Sequence, residues 1–391
     1  MKNILLVQPS MQPPGGGNGV AAWIIEALKR DHAVSLLTWK PIDLGSIDRY
    51  YGTSLGAADF RAYGVPPALR RLLALVPTPA GLLKTHLLLR LCKKMKDDYD
   101  VIITVNNEAD FGRPGIQYIH FPWARLPRPP ADLSWYHLSP GVVALYHTLC
   151  ARLGGFSFDR MKENLTLANS AWTAGKVREQ HGIESIVLHP PILDDFPDVP
   201  WAERESGFVC IGRIAPEKEL EKIIDILASV RDRGHEAHLH IIGTSAHNRY
   251  YREILRRVRA NASWISLDEN LSRDQLVRLV SQHRYGIHGM EEEHFGMAVA
   301  EMVQAGCIVF AARGGGPEEI LGSDQRLLYA TREEAATKII QAMTDPDLQI
   351  SLRSHLGERK SLFSVNDFIR RIREIVDAFD PASTSGPAGS R

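Results

Sequence analysis

Two glutamates eight residues apart are the residues whose types and spacing most clearly suggest chemistry. Glu293 and Glu301 flank a Phe-Gly step and an apolar run, which Gly306 ends. The run is typical of a helix, and a helix N-terminus attracts phosphate through its unpaired N–H groups and its dipole. The two carboxylates could then bind hydroxyls on either side of a diphosphate, as in a nucleotide-sugar. A buried amphipathic helix with two surface glutamates is the alternative.

A second group of candidate residues follows a strand-like run in the second half of the chain. Gly212 and Arg213 end the run FVCI, and Lys218 stands where the next helix is expected to begin. Ligands of open α/β sheets bind beyond the carboxyl ends of the strands, so both cations would face one cleft and could neutralise a diphosphate. A solvated surface pair is the alternative, but the two glutamates in the same half favour a binding role.

The first half contributes a glycine-rich loop and one histidine. Gly16 and Gly17 follow the first strand, where they would let the backbone approach a phosphate or an acceptor. The loop is not GxGxxG and no acidic residue ends the second strand, so NAD is poorly indicated and a flexible turn is equally compatible. His120 ends a strand; it is either structural or a hydrogen-bonding partner of a sugar. Residues 314–319 form another glycine turn, which faces the ligand or is simply structural.

Composition excludes several classes of protein. The 46 basic and 46 acidic side chains cancel, so net charge does not indicate nucleic-acid binding. The four cysteines form no CxxC pair and fit a reducing compartment. The sequence shows no secretory signal, no apolar run of membrane-spanning length and no GxxxxGK[ST], GxSxG or HExxH motif. We therefore expect a cytoplasmic protein and assign no metal ion and no cofactor.

A basic stretch covers residues 61–96, which hold eight basic and no acidic side chains, with leucines at near-helical spacing. Such a stretch predicts peripheral contact with an anionic membrane surface or an acidic lipid carrier. A core-facing helix with a solvated basic face is equally compatible with it.

The alternation of strand-like and helix-period segments predicts an α/β fold with two Rossmann-like domains of parallel strands. The predicted strands are 3–8, 33–39, 101–105, 116–120 and 165–168, then 208–211, 237–242, 264–267, 285–288 and 308–311. A segment rich in proline and aspartate places a hinge linker at 191–205. The predicted domains are thus 1–190 and 206–362, followed by a closing helix at 363–380, which packs back toward the N-terminal domain, and a disordered tail at 381–391.

These motifs resemble a known family. Gly212-Arg213 with Lys218, the segment from Glu293 to Glu301, and GGGPE at 314–318 are similar to glycosyltransferase family 4, which retains anomeric configuration. The family has the GT-B architecture, in which two Rossmann-like domains face each other across a cleft. The resemblance runs from the first strand to the closing helix. YIHFP at 118–122, NSAWTA at 169–174, HPP at 189–191 and EEHFG at 292–296 are similar to the α-1,2-mannosyltransferases that extend lipid-linked oligosaccharides from GDP-mannose.

The resemblance implies an N-terminal acceptor domain, a C-terminal donor domain and a set of site residues. The implied catalytic residues are His120, Arg213, Lys218 and Glu293. The implied donor-binding residues are Gly16, Gly17, Gly212, Phe295, Gly296, Met297 and Glu301.

The implied roles divide the donor into parts. Arg213 and Lys218 would bind the diphosphate, and Glu301 would hold the ribose hydroxyls. Glu293 would contact the transferred sugar, and His120 would lie by the anomeric carbon. The backbone N–H groups at 295–297 would reach the sugar and the phosphates. The loop at 15–17 would face the donor phosphate or the acceptor.

The implied function is transfer of a hexose, with mannose as the first candidate, from a GDP- or UDP-linked donor to a hydroxyl acceptor. The acceptor would be a glycan, a lipid-linked glycan or a small molecule. Fixed cations and a helix N-terminus would stabilise the leaving diphosphate, roughly 3 kcal/mol per good donor, without a metal ion. A nucleotide-sugar epimerase, a phosphorylase and a non-catalytic partner subunit are the alternatives. One departure is GIHG at 286–289, where the family often has a Pro-Ser pair.

Overall fold

The structure is a computed structural model that describes residues 1–13, 15–66, 81–122, 140–244 and 247–382. The chain divides into two units, which we describe separately. The first comprises Met1–Pro191 and Phe368–Arg391, and the second comprises Ile192–Asp367.

The first unit is built on a parallel sheet with the strand order β3-β2-β1-β4-β5-β6-β7. Its strands are β1 (Asn3–Val7), β2 (Ala33–Thr38), β3 (Phe60–Gly64), β4 (Val101–Thr104), β5 (Ile116–Ile119), β6 (Leu165–Ala168) and β7 (Ile186–Val187). Its helices are α1 (Gly16–Leu28), α2 (Leu44–Tyr51), α3 (Gly81–Met95), α4 (Pro140–Gly154), α5 (Phe158–Lys162) and α6 (Ala171–His181). Every residue of β4 and β5 is buried, as expected for parallel strands covered on both faces.

The second unit has a parallel sheet with the order β10-β9-β8-β11-β12-β13. Its strands are β8 (Glu205–Ile211), β9 (Leu239–Gly243), β10 (Ile265–Glu269), β11 (His283–His288), β12 (Ile308–Ala312) and β13 (Leu328–Tyr329). Its helices are α7 (Leu220–Asp232), α8 (Arg249–Ala260), α9 (Arg273–Ser281), α10 (Met297–Gln304), α11 (Gly316–Ile320), α12 (Arg332–Thr344) and α13 (Pro346–Arg359). Helix α7 buries Leu220, Ile223, Ile224, Leu227 and Val230, the spacing of one helix face against a sheet.

The order of the strands fixes where a ligand would bind. In each sheet the chain starts at a central strand, β1 or β8, builds outward on one side and then crosses to the other side, at β4 or β11. Such a switch point leaves a crevice between the loops that follow the two central strands. In the second unit these loops begin at Gly212 and Gly289, directly after β8 and β11.

All ten predicted strands are present, and their ends differ from the prediction by up to three residues. The structure adds three edge strands: β3, β7 and β13. Sequence patterns miss them because β3 is largely exposed and the other two are only two residues long. Two parallel-sheet units confirm the predicted fold class.

The segment expected as a hinge at 191–205 belongs mostly to the second unit. Ile192 is buried, its N–H donates to the carbonyl of Phe363 over 2.8 Å, and Arg204 is also buried. The Arg204 guanidinium donates to the carbonyl of Ala305 over 2.8 Å. The prolines break regular structure here, but side-chain burial ties the segment to the sheet.

The last helix described, α14 (Val365–Ala378), spans the division between the units. Ser364 Oγ accepts from the N–H of Asp367, as in a helix cap. Within the first unit, Lys2 Nζ donates to the carbonyls of Val376 and Phe379 at 2.8 and 2.9 Å. Residues 383–391 of the predicted tail, and 67–80 of the basic stretch, lie outside the described residues.

None of the helices in the described ranges is long and apolar enough to cross a membrane. This finding concerns the described ranges alone.

Candidate active site

An ion pair joins the loops that follow the two central strands of the second unit. Lys218 Nζ donates to Oε2 of Glu293, and each side chain is 16% exposed. Lys218 closes the turn Pro216–Lys218 after β8, and Glu293 follows β11. Because β8 and β11 are neighbours in the sheet, the two loops meet at its carboxyl edge. The structure thus brings together two residues that sequence reasoning assigned to one site.

The carboxyl of Glu293 is held in its ionised form. Burial alone would raise its pKa, but the neighbouring His288 imidazole and the charge of Lys218 outweigh burial and hold the pKa well below its usual range. His288 Nε2 lies 3.3 Å from the same carboxylate oxygen. The carboxylate is therefore a pure acceptor of hydrogen bonds, suited to sugar hydroxyls. His288 occupies the strand end where the sequence departs from the family pattern.

The glycine turn at 314–316 positions the backbone of the Glu293 loop. The N–H of Gly316 donates to the carbonyl of Glu293 over 2.7 Å. Gly315 has φ +80°, and a Cβ there would lie 2.1 Å from that carbonyl oxygen. A Cβ on Gly316 would lie 2.3 Å from the carbonyl oxygen of Phe295. Gly315 and Gly316 therefore serve close backbone packing. Gly314 has φ +102°, a conformation that favours glycine, and its N–H donates to Oε1 of Glu318 over 2.8 Å.

Helix α10 begins where the sequence predicts a phosphate-binding helix N-terminus. Gly296 is its N-cap residue with φ +99°, a conformation that favours glycine. Met297 is the first helical residue, and Phe295 is buried just before it. The N–H groups of a first helical turn have no partner within the helix and carry partial positive charge, so they suit an anion.

Arg273 is a residue that sequence reasoning missed. Its guanidinium binds Glu301 over 2.5 Å and forms two bonds to Asp195, at 2.7 and 2.9 Å. Burial alone would lower the pKa of Arg273, but the carboxylates of Asp195 and Glu301 outweigh burial and raise the pKa above its usual value. The guanidinium therefore stays charged. Arg273 opens α9 just beyond the carboxyl end of β10, so the strand-end rule could have pointed to it.

Arg213 lies apart from the buried pair. Its guanidinium is 70% exposed and contacts Glu217 over 2.7 Å. Gly212 precedes it, and its carbonyl oxygen would lie 1.8 Å from a Cβ on Gly243 at the end of β9. The backbones therefore pack closely here, and the Arg213 side chain is the accessible cation of the loop.

In the first unit, the glycine loop and the strand-end histidine meet. A Cβ on Gly17 would lie 2.8 Å from Nε2 of His120, so only glycine fits without displacing the ring. Helix α1 begins at Gly16, with Gly15 as the N-cap residue. These residues lie in the first unit and the ion-paired residues in the second.

Both backbone polar groups of His120 form hydrogen bonds with side chains. Its N–H donates to Oδ1 of Asn107 over 2.7 Å. Its carbonyl accepts from Asn169 at 3.2 Å and from Thr173 at 3.3 Å. The motif at 169–174 thus has a structural role, because it fixes this strand end, and Ser170 caps α6 by accepting from the N–H of Thr173.

The basic helix α3 packs against the core of the first unit. Leu88, Leu89 and Cys92 are buried, and Lys93 binds the buried Asp110 over 2.8 Å. Arg90 donates to the carbonyl of Leu153 over 2.8 Å. For this part of the stretch, the contacts favour the core-facing interpretation.

Comparison with known proteins identifies the family to which the second unit belongs. Residues 192–361 match the family described as Glycosyl transferases group 1. The chain has the GT-B fold, and its second unit is a group 1 glycosyl transferase domain. The resemblance stated from the motifs is thereby confirmed.

The relatives named by sequence comparison share one description. The chain is similar to the GDP-Man:Man(3)GlcNAc(2)-PP-Dol alpha-1,2-mannosyltransferase of Dictyostelium discoideum, with 24% identity over 246 residues, 54% of this chain and 48% of the relative. The protein of the same name from Mus musculus is 27% identical over 173 residues, 40% of this chain and 35% of the relative. The chain therefore spans about half the length of the first of these relatives and about a third of the second.

Structure comparison covers almost the whole chain. The Anabaena protein Alr3699/HepE, solved in complex with UDP and glucose, superposes with a TM-score of 0.68 and 17% identity. The match covers 97% of this chain and 100% of that protein. At this identity the likeness establishes the fold.

Proposed function

We propose that this protein is a retaining glycosyltransferase that moves a hexose, with mannose as the first candidate, from a nucleoside-diphosphate sugar to a hydroxyl acceptor. The observation that carries the proposal is the Lys218–Glu293 pair at the switch point of the second unit, directly before the N-terminus of α10. This arrangement offers cationic, anionic and N–H groups to one ligand with a diphosphate and a sugar. The names of the relatives favour GDP-mannose.

The cations act on the leaving group. Cleaving the sugar–phosphate bond develops negative charge on the diphosphate, and preorganised positive groups stabilise it as it forms. Arg213 is exposed and reaches a phosphate by exchanging its contact with Glu217. Lys218 is fixed by Glu293, so its charge is already oriented before the donor binds. With the N-terminus of α10, these groups supply the stabilisation without a metal ion.

The carboxylates act on hydroxyls at the two ends of the donor. Glu293, ionised through its partners, accepts from hydroxyls of the transferred sugar. Glu301 accepts from the ribose, and Arg273 holds it in place over 2.5 Å. Retention follows if the acceptor attacks on the face that the diphosphate leaves, with a phosphate oxygen taking the acceptor's proton. His120, fixed at its strand end, is proposed to hydrogen-bond a sugar hydroxyl.

For the acceptor we propose a glycan carried on a lipid, with a free glycan or a small molecule as the alternatives. The relatives' names specify a lipid-linked acceptor for those proteins. On α4 of the first unit, Leu145, Leu149 and Leu153 recur every fourth residue and are 48–60% exposed. Such a stripe, with Arg152 beside it, is suited to a membrane surface. We therefore propose peripheral contact with a membrane.

A transfer assay tests the proposal. Full-length protein is incubated with GDP-mannose or UDP-glucose and a panel of lipid-linked and free glycans, and the anomeric configuration of the product is read by NMR. The proposal predicts an acceptor-dependent product with the donor's configuration, and a kcat at least tenfold lower for Arg213→Ala. Arg256→Ala is the matched control, because Arg256 is 75% exposed and also pairs with a glutamate in its own segment.

Other outcomes would select the alternatives. Isomerisation of the donor without an acceptor would indicate an epimerase, and release of sugar 1-phosphate from a glycan would indicate a phosphorylase. Donor binding without turnover under any acceptor would indicate a non-catalytic subunit. An inverted product would refute the retaining mechanism.

A further inference from the structure

Three histidine rings cluster at the amino ends of strands in the second unit, whereas the candidate active site lies at the carboxyl ends. His238 precedes β9, His240 is its second residue and His283 opens β11. One ring nitrogen of each lies within 4.8 Å of the other two. Since β8 and β11 run from this edge to the loops of Gly212 and Gly289, the cluster is separate from the proposed donor site.

Two of the rings and a nearby carboxylate are about as far apart as ligands around one ion. Nε2 of His238 and Nε2 of His283 are 3.1 Å apart. Oε2 of Glu205, at the start of β8, lies 3.3 Å from the first and 4.0 Å from the second. With zinc–nitrogen bonds of about 2.0–2.1 Å, two ligands of a tetrahedral ion lie about 3.4 Å apart. A Cβ on Gly207 would lie 2.0 Å from Nε2 of His238, so a glycine makes room for this ring.

Hydrogen bonds on the far side of two rings orient their lone pairs. Nδ1 of His283 lies 2.7 Å from the carbonyl of Leu279, which can only accept, so Nδ1 carries the proton and Nε2 keeps its lone pair. Nδ1 of His240 lies 2.8 Å from Oδ2 of Asp268. A carboxylate or carbonyl behind a ligating imidazole is the usual support of a protein metal site.

We propose that His238, His240 and His283 bind a zinc ion, with the Glu205 carboxylate as the fourth ligand. The site lies outside the proposed transfer reaction. Its ligands come from the beginnings of β8, β9 and β11, so the ion joins three strands of the second unit. Because zinc would bind the folded form and not the unfolded form, it would raise the stability of that unit by mass action.

The test is zinc binding by full-length protein, with any affinity tag removed and bound metal stripped by a chelator. Calorimetry with zinc chloride alone is expected to show one ion per chain with a Kd below about 1 µM, and Co²⁺ is expected to give the visible absorption of a tetrahedral site. We expect His238→Gln to weaken binding on the order of 100-fold and Glu205→Gln on the order of 10-fold. The latter changes a side chain that is 59% exposed, so folding should be unaffected.

His235→Gln is the matched control, since His235 lies three residues from His238 and outside the cluster. It should bind zinc as the wild type does. The proposal is overturned if the stripped wild type binds no zinc in this range. It is also overturned if both variants bind as tightly as the wild type, or if the control loses binding equally.

Discussion

The pair of Lys218 and Glu293 allows a quantitative test of how the candidate site is held together. Removing one partner of a buried ion pair typically costs 3–5 kcal/mol, because the other charge stays buried and uncompensated, and we expect about 2–3 kcal/mol for Lys218→Met. The lower value reflects the 16% exposure of both side chains and the presence of His288 at 3.3 Å from the carboxylate. Glu293→Gln should cost less, since the lysine can extend toward solvent.

The decisive quantity is the coupling energy in a double-mutant cycle. If the two side chains act as a pair, the double variant should be about 1.5–3 kcal/mol more stable than the sum of the single changes predicts. Native-state hydrogen exchange of peptides from β11 and β12 measures the opening free energy of the second unit within the full chain.

A neighbouring pair is the control for this cycle. Lys222 and Glu291 are 2.7 Å apart, but the glutamate is 57% exposed, so their coupling should stay below about 1 kcal/mol. Coupling between Lys218 and Glu293 no larger than this would refute the view that the pair is an organising element of the site.

Three further predictions follow from the same unit. Gly315→Ala should destabilise the second unit by at least about 2 kcal/mol in the same exchange experiment, because Gly315 has a left-handed conformation and a Cβ there would clash with backbone. Gly357→Ala is the control: a Cβ there meets nothing within 4 Å, so this change should be neutral or stabilising. Equal effects of the two substitutions would contradict this prediction. Because the pKa of Glu293 is depressed, its contribution to stability is complete above its unfolded pKa of about 4.3 and is lost as the pH falls below it. The stability difference between wild type and Glu293→Gln should thus shrink as the pH falls below about 4.5; a difference that stays the same down to about pH 3 would count against this assignment. Arg273→Leu should raise the donor KM on the order of tenfold with a smaller change in kcat, as should Glu301→Ala, and unchanged steady-state kinetics would remove both from the donor site.

The sequence predicts the central strands well because hydrophobicity controls them. β4 and β5 are buried throughout and read as continuous apolar runs. β3 lies at a sheet edge, mostly exposed, so its sequence carries little apolar signal. The hinge illustrates a different limit, since local proline content says nothing about the long-range burial of Ile192.

The contact between Lys218 and Glu293 is predictable because topology dictates it. Residues that follow neighbouring parallel strands meet at one edge, and a strand-like run precedes each of them. Arg273 contacts Glu301 across 28 residues and belongs to no motif. Such a contact depends on how α9 packs, which local sequence does not encode.

The glycine turn shows how a correct pattern can have another cause. As a pattern, GGGPE is compatible with a ligand loop or a simple turn, and in the folded chain it is a packing site for the Glu293 backbone. A glycine is required at 315 because a Cβ there would lie 2.1 Å from the carbonyl oxygen of Glu293, which belongs to a loop 22 residues earlier. Only the folded chain reveals that neighbour.

Titration calorimetry of nucleotides tests the central claim most directly, namely that the second unit binds the diphosphate of a nucleotide-sugar. GDP, GDP-mannose, UDP and UDP-glucose are titrated into full-length wild type, Arg213→Ala and the control Arg256→Ala. We predict saturable binding of GDP and GDP-mannose, weakened at least tenfold by Arg213→Ala and unchanged in the control. Binding of the uridine nucleotides instead would replace the proposed donor. Binding of none of the four, or equal binding by Arg213→Ala, would contradict the account.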